Sequence, residues 1–160
     1  MVELLNINGP GLGIEFAPVV VRATCRIAAG SSVGDIVQFD TLLSDGAVND
    51  NDQGTSDSGL SNFIVPTTAG LPDSFFGVVL EAVADNNIAQ VLVQGRVAAQ
   101  TTGTPAVGVS LVAADAASTL AATGGAGGEK ILGYAIVTGT STPTDVVFDG
   151  INGLGGKDTA

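Results

Sequence analysis

FFGVVLEAVADNNIAQVLVQG, residues 75–95, reads as two strands and a turn. Phe76, Val78, Leu80 and Ala82 alternate with Gly77, Val79 and Glu81; Ala89, Val91 and Val93 then face in while Gln90, Gln94 and Arg96 face out. A period of two is that of a half-buried strand. Asp85-Asn86-Asn87 between the runs has turn chemistry. The unit returns at residues 131–150, ILGYAIVTGTSTPTDVVFDG, where Leu132, Tyr134, Ile136, Val146 and Phe148 are expected inward. Aligning Gly77 with Gly133 brings the following strands into step, ending at Gly95 and Gly150. Each hairpin follows a related phrase, SVGDIVQFD at 32–40 and AVGVSLVAA at 106–114. The pattern predicts an all-β protein, a small β-barrel or β-sandwich of two pseudo-repeated halves with an extended N-terminal arm. Gly77 and Gly133, inside strand patterns, mark bulges or close backbone approach.

Outward from that core, residues 19–28 form the clearest strand of the first half. Val19, Val21, Ala23, Cys25 and Ile27 share one face and Val20, Arg22, Thr24 and Arg26 the other; alternation puts the first set inside. Residues 33–40 read as a second strand, with Asp35 as its polar start. Residues 43–70 read as one long irregular segment, whose middle is dense in Asp, Asn, Gly and Ser. Gly34 to Gly77 spans 43 residues and Gly108 to Gly133 spans 25, so the first half carries about 18 extra here. For 118–128, STLAATGGAGG, alanine content favours helix and the repeat favours a short strand and turn; the repeat is followed. The predicted organisation is an arm at 1–18, one β-domain at 19–150 with an acidic insertion at 44–59, and a loose tail at 151–160. The predicted core is Val21, Cys25, Ile27, Ile36, Phe76, Val78, Leu80, Val91, Val93, Leu132, Tyr134, Ile136, Val146 and Phe148.

The chain has 160 residues, 16 acids against 5 bases, and a net charge of −11. Mean hydropathy is +0.45, yet no run of 18 apolar residues occurs, so no membrane span or membrane partner is expected. The excess apolar surface must enter a core or contacts between subunits. Phosphate binding needs clustered Lys and Arg; Arg22, Arg26, Arg96, Lys130 and Lys157 are scattered, so no nucleic-acid partner is expected. A single cysteine, Cys25, forms no internal disulfide and is expected to be a buried small apolar residue. The opening MVELLNINGPGLG lacks the positive-then-apolar pattern of a secretory signal.

No histidine exists, which removes the commonest general base and metal ligand. Ser-His-Asp and Cys-His arrangements are impossible, and one Cys without His makes no zinc set. No GxxxxGK[ST] loop occurs, and Gly9-Pro10-Gly11-Leu12-Gly13 lacks the spacing and strand–helix context of a dinucleotide loop. Asn49-Asp50-Asn51-Asp52-Gln53-Gly54 resembles the opening of a calcium loop, but Leu60 stands where a bidentate Glu is required. A looser calcium site would use Asp50, Asp52 and Asp57. No catalytic residue, metal or cofactor is expected, and no enzyme.

The phrases VGDIVQFD, FGVVLEAVADNNIAQVLVQG, AVGVSLVAADAASTLAA and ILGYAIVTGT…DVVFDG together resemble the head decoration (cement) proteins of tailed bacteriophages, over residues 31–150. The acidic insertion and the glycine-rich arm depart from that family. The resemblance implies a structural virion protein on the outer surface of an icosahedral capsid, made in the host cytoplasm. It implies the major capsid protein as partner and a homotrimer at three-fold and quasi-three-fold positions, bridging capsid subunits and stabilising the DNA-filled head. Contact with the capsid or a sister subunit is expected of the arm through Val2, Leu4, Leu5, Ile7, Leu12, Ile14 and Phe16, too many apolar groups for a free tail; an added edge strand on its own sheet is the competing reading. The alternatives for the whole chain are another phage structural subunit, of tail, baseplate or fibre, or a calcium- or sugar-binding β-module. Neighbouring genes separate the first alternative, and calcium titration the second.

Overall fold

The computed structural model describes residues 17–39, 62–66, 75–114, 116–123, 130–137 and 143–153. These form nine strands and, among the described residues, no helix. In chain order they are β1 (Val19–Cys25), β2 (Ile36–Phe39), β3 (Asn62–Ile64), β4 (Phe76–Val79), β5 (Ile88–Ala99), β6 (Ser110–Ala113), β7 (Leu120–Ala122), β8 (Gly133–Ala135) and β9 (Thr144–Asp149).

The pairings close into two rings. β1 pairs β3 in parallel, then β3–β2, β2–β4, β4–β5 and β5–β1 pair antiparallel, returning to the start. The second ring uses the later part of β5. It pairs β9, then β9–β8, β8–β6 and β6–β7 pair antiparallel. A parallel bridge from Leu120 of β7 to Thr101, just past β5, completes the circuit. Each ring is a five-stranded barrel, and β5 is the last strand of one and the first of the other.

The two rings match residue for residue. Cys25↔Phe63 in the first corresponds to Thr101↔Leu120 in the second, Phe39↔Phe63 to Ala113↔Leu120, and Val37↔Gly77 to Leu111↔Gly133. Val79↔Val91 and Val21↔Val91 likewise correspond to Ala135↔Val146 and Val97↔Val146. Single hydrogen bonds repeat as well. Gly34 N–H donates to Val79 C=O and Gly108 N–H to Ala135 C=O, each at 2.8 Å, and Leu80 and Ile136 N–H donate to Gln90 and Asp145 C=O, each at 2.9 Å. Gly34 and Gly108 even share a positive φ, 86° and 79°. The predicted pairing of Gly77 with Gly133 is therefore the true register. Neither position has room for a side chain: a Cβ on Gly77 would lie 2.3 Å from Val91 Cγ1, and one on Gly133 2.6 Å from the Val147 carbonyl oxygen.

Barrel one encloses Ala23, Cys25, Val37, Phe39, Phe63, Val79, Ala89, Val91 and Val93. The matching positions of barrel two, Ala99, Thr101, Leu111, Ala113, Leu120, Ala135, Thr144, Val146 and Phe148, are all buried. Its apolar members join a larger cluster with Ile36, Phe76, Val78 and Leu92 from the opposite face of the β2-β4-β5 wall. Barrel two thus lies against the outside of barrel one, and the shared wall is buried on both faces. Each of those four side chains adds about 1.5–3 kcal/mol when fully buried.

The stacking requires β5 to fold back. Val91 pairs Val79, whose carbonyl holds Gly34 N–H; Gly34 C=O in turn accepts from Gln100 N–H at 2.8 Å. A straight strand would separate Val91 from Gln100 by roughly 30 Å. Along β5 the register with β1 shifts between the Leu92 and Gln94 pairings, and just beyond it Gly95 has a φ of 137°, a region that residues with a Cβ rarely adopt; a Cβ there would lie 3.1 Å from Pro18 Cα.

Several sequence expectations are corrected. β3 lies inside the segment read as wholly irregular. Strand β2 begins at Ile36, and Val33-Gly34 forms the turn before it. β4 ends at Val79, Ala82 is exposed, and Gly77 and Val79 are as buried as Phe76 and Val78, because β4 has a core on each side. In the last hairpin the buried positions are Gly133 and Ala135, while Tyr134 and Ile136 are half-buried; Gly133 pairs Leu111 and Phe148 where no Cβ fits, and Ala135 pairs Val146. Val21, Ile27 and Leu80 are half-buried against cores, and Val19 is 41% exposed. Of the predicted tail, Ile151 packs on the barrel-one cluster and its carbonyl accepts from Lys130 Nζ at 2.7 Å. β7 confirms the repeat over alanine's helix preference.

Candidate functional site

The predicted contact residues Val2, Leu4, Leu5, Ile7, Leu12, Ile14 and Phe16 lie outside the described residues, as do the acidic insertion 44–59 and residues 154–160. The candidate surface is therefore sought on the barrels themselves.

The described polar groups serve the fold. Asp35 Oδ2 accepts from Ser32 N–H at 2.7 Å and Ser31 Oγ at 3.0 Å, fixing the turn into β2. Asp149 Oδ1 accepts from the N–H groups of Ile151 and Asn152 at 3.0 and 2.9 Å, fixing the turn out of β9. Glu81 Oε1 accepts from Gln90 N–H at 2.9 Å. Arg26 donates to Asn62 and Asn86 at 3.3 and 2.6 Å. Arg96 and Asp145 form an ion pair at 2.8 Å whose side chains are 64% and 38% exposed, which contributes little in water. Burial, reinforced by the charge of Asp85, pushes the Cys25 thiol up from its ordinary value; a buried, protonated thiol is inert. Among the described residues no three His, Cys, Asp or Glu gather as a metal site.

Apolar exposure is more telling. Among the described residues, Val19, Val20, Val33, Ile88, Val107 and Val137 are the exposed large apolar ones. Val33 and Val107 hold matched places, each one residue before the matched glycine of a turn into β2 or β6. Asp35 N–H closes the first turn onto Ser32 C=O and Val109 N–H the second onto Ala106 C=O, both at 3.2 Å. Separately, a shallow groove of about 520 Å³ runs along Arg26, Ile27, Ile64, Val65, Pro66 and Ala116 at one end of barrel one. Sequence reading placed Val33 in a strand and missed the tips; the shared Val-Gly in SVGD and AVGV was the available signal.

No protein-family model matches the chain, and no curated protein matches it. Among solved structures, the head fibre gp8.5 N base of bacteriophage phi29 is similar, with a TM-score of 0.49 and 14% identity over 88% of this chain and 100% of that one. That protein belongs to a phage head.

Proposed function

We propose that this chain is a structural protein of a tailed-bacteriophage virion: a decoration (cement) protein that docks on the outside of the icosahedral capsid, bridges major capsid subunits and stabilises the DNA-filled head. It acts there as a homotrimer at three-fold and quasi-three-fold positions, a number taken from the sequence resemblance alone. The observation that carries the reading is where the resemblance falls. Its phrases supply β2, β4, β5, β6, β7, β8 and β9, that is barrel two and all of barrel one but β1 and β3.

The architecture suits a mechanical task. Closed rings leave no long unpaired strand edge to peel or aggregate, and two rings sharing a strand resist separation. Asp35, Glu81 and Asp149 cap turns and backbone, which fits a protein that bears load. The acidic balance favours solubility and basic partners.

The test adds purified protein to expanded capsids lacking it and counts bound copies against concentration. Saturation in multiples of three per site, with a higher temperature of DNA release, is expected. Failure to bind capsids, with binding to tails instead, assigns the chain to the tail or fibre class.

A further inference from the structure

We infer that the groove beside Arg26, at the end of barrel one, receives the N-terminal arm of a sister copy, with Glu3 against the Arg26 guanidinium and Leu4 and Leu5 on the apolar lining; this rests on the homotrimer of the proposed function and names the contact that closes it.

The groove combines two chemistries. Ile27, Ile64, Val65 and Pro66 line it with apolar groups, and Arg26 adds a cation. The side-chain oxygens of Asn62 and Asn86 accept from the guanidinium at 3.3 and 2.6 Å and hold it in place. The other end of the Asn86 amide donates to Asp85 Oδ2 at 2.9 Å. Among the described residues the ion pair is Arg96 with Asp145, and no carboxylate pairs with Arg26. A guanidinium has five N–H donors, so some remain for an incoming carboxylate. In a chain of net charge −11, an oriented cation beside apolar groups selects an apolar segment that carries an acid.

Residues 1–16 have that composition. They are rich in large apolar groups and contain Glu3 and Glu15 but no Lys or Arg. Where they join the body decides which copy they reach. The arm enters at Pro18, next to Gly95, where β1 begins, whereas Arg26 and Ile27 follow the opposite end of β1. Roughly 25 Å of strand separates the two points. Traced back from Val19, the chain leaves the body heading away from its own groove. It reaches that groove only by reversing, whereas a neighbour placed ahead of it is met directly. Glu15 stands two residues before Ala17, close to its own body; Glu3 stands 14 residues before it, a reach of roughly 45 Å. A contact from one end of a body to the other end of the next is heterologous and closes into a ring when the rotation between copies allows. Three copies then share three identical arm-to-groove contacts.

The experiment follows disulfide formation in the full chain, at concentrations where the parent self-associates in sedimentation velocity. Copies carrying L4C are mixed with copies carrying I64C under air oxidation; Cys25 is buried and stays silent. A linked L4C–I64C dimer is expected, with no link when I88C replaces I64C, and linked trimers from the L4C/I64C double variant. E3R is expected to raise the midpoint concentration of self-association by about tenfold, and E3R combined with R26E to return it toward the parent value. If R26E does not fold, E3Q and L4S, which leave both described cores untouched, are expected to weaken assembly in its place. Trimers without the L4C–I64C link, links formed only within single chains, or an E3R variant that assembles like the parent overturn the inference and leave the homotrimer standing. A parent that stays monomeric at every concentration overturns the inference together with the free trimer, and the capsid role is then judged by its own count of bound copies.

Discussion

The hydroxyls of Thr101 and Thr144 meet at 3.0 Å inside barrel two, at the positions that Cys25 and Ala89 occupy in barrel one. Thr101 Oγ1 also reaches Gly103 C=O at 3.3 Å. The same ring of strands thus tolerates a dry thiol–methyl pair or a satisfied hydroxyl pair at one site.

That equivalence makes a double-mutant cycle informative. Thr144→Ala removes this buried hydrogen bond while Thr101 keeps Gly103 C=O, and should cost about 0.5–1.5 kcal/mol. Replacing both, as Thr101→Cys with Thr144→Ala, copies barrel one and should cost less than the sum of the single changes by about 0.5–3 kcal/mol. Urea unfolding of the four proteins checks this; additive losses would mean that the two sites are not interchangeable.

The backbone at Gly95 predicts a second effect. Gly95→Ala forces a Cβ into a φ of 137° and to 3.1 Å from Pro18 Cα, at a cost of about 1–3 kcal/mol. A lower melting temperature with unchanged strand content in the far-ultraviolet circular dichroism spectrum is the expected outcome.

Facing in the last hairpin can be read by truncation. Leu132 is fully buried, so Leu132→Ala should cost about 2–5 kcal/mol. Ile136, half-buried, should cost clearly less. Equal losses in chemical denaturation would restore the simple alternation of Leu132, Tyr134 and Ile136.

Cys25 sets a pH dependence. Its thiol is raised in the folded state by burial and by Asp85. Above pH about 8.5 the unfolded chain ionises it first and then binds fewer protons than the native protein, so stability falls as pH rises through that window. The contribution is fully present below it. Cys25→Ala should show a flatter decline between pH 8 and 10, and thiol reagents should label the parent only as fast as it opens.

Much of this fold was legible from punctuation. Glycines at 34, 77, 108 and 133 stand where the backbone tolerates nothing larger or takes a positive φ, so they survived when the apolar residues between them drifted. The alanine-rich run at 120–122 declared no strand by composition, and only its place in the repeat revealed one. Two features stayed hidden for physical reasons. β3 is three residues long and follows the acidic stretch, so it shows no periodicity of its own. Facing in β8 was inverted because Gly133, where no Cβ fits, and Ala135 are buried while the larger Tyr134 and Ile136 stay half out, contrary to the rule that bulk means burial. The turn at Val33-Gly34 was read as strand because its Val-Gly step, shared with Val107-Gly108, abuts the apolar run of β2.

Because β5 closes one barrel while opening the next, the architecture has a growth rule. A single barrel needs five strands, and each further one needs only four, so n barrels require 4n + 1 strands; the nine seen here are the case of two. By that rule β9 stands where β5 stood, ready to begin a third. Instead, at Gly150, the counterpart of Gly95, the chain turns away under the carboxylate of Asp149. One side chain at the end of β9 thus holds a turn that the matching end of the first half, which runs on through Gly95 as β5, does not make.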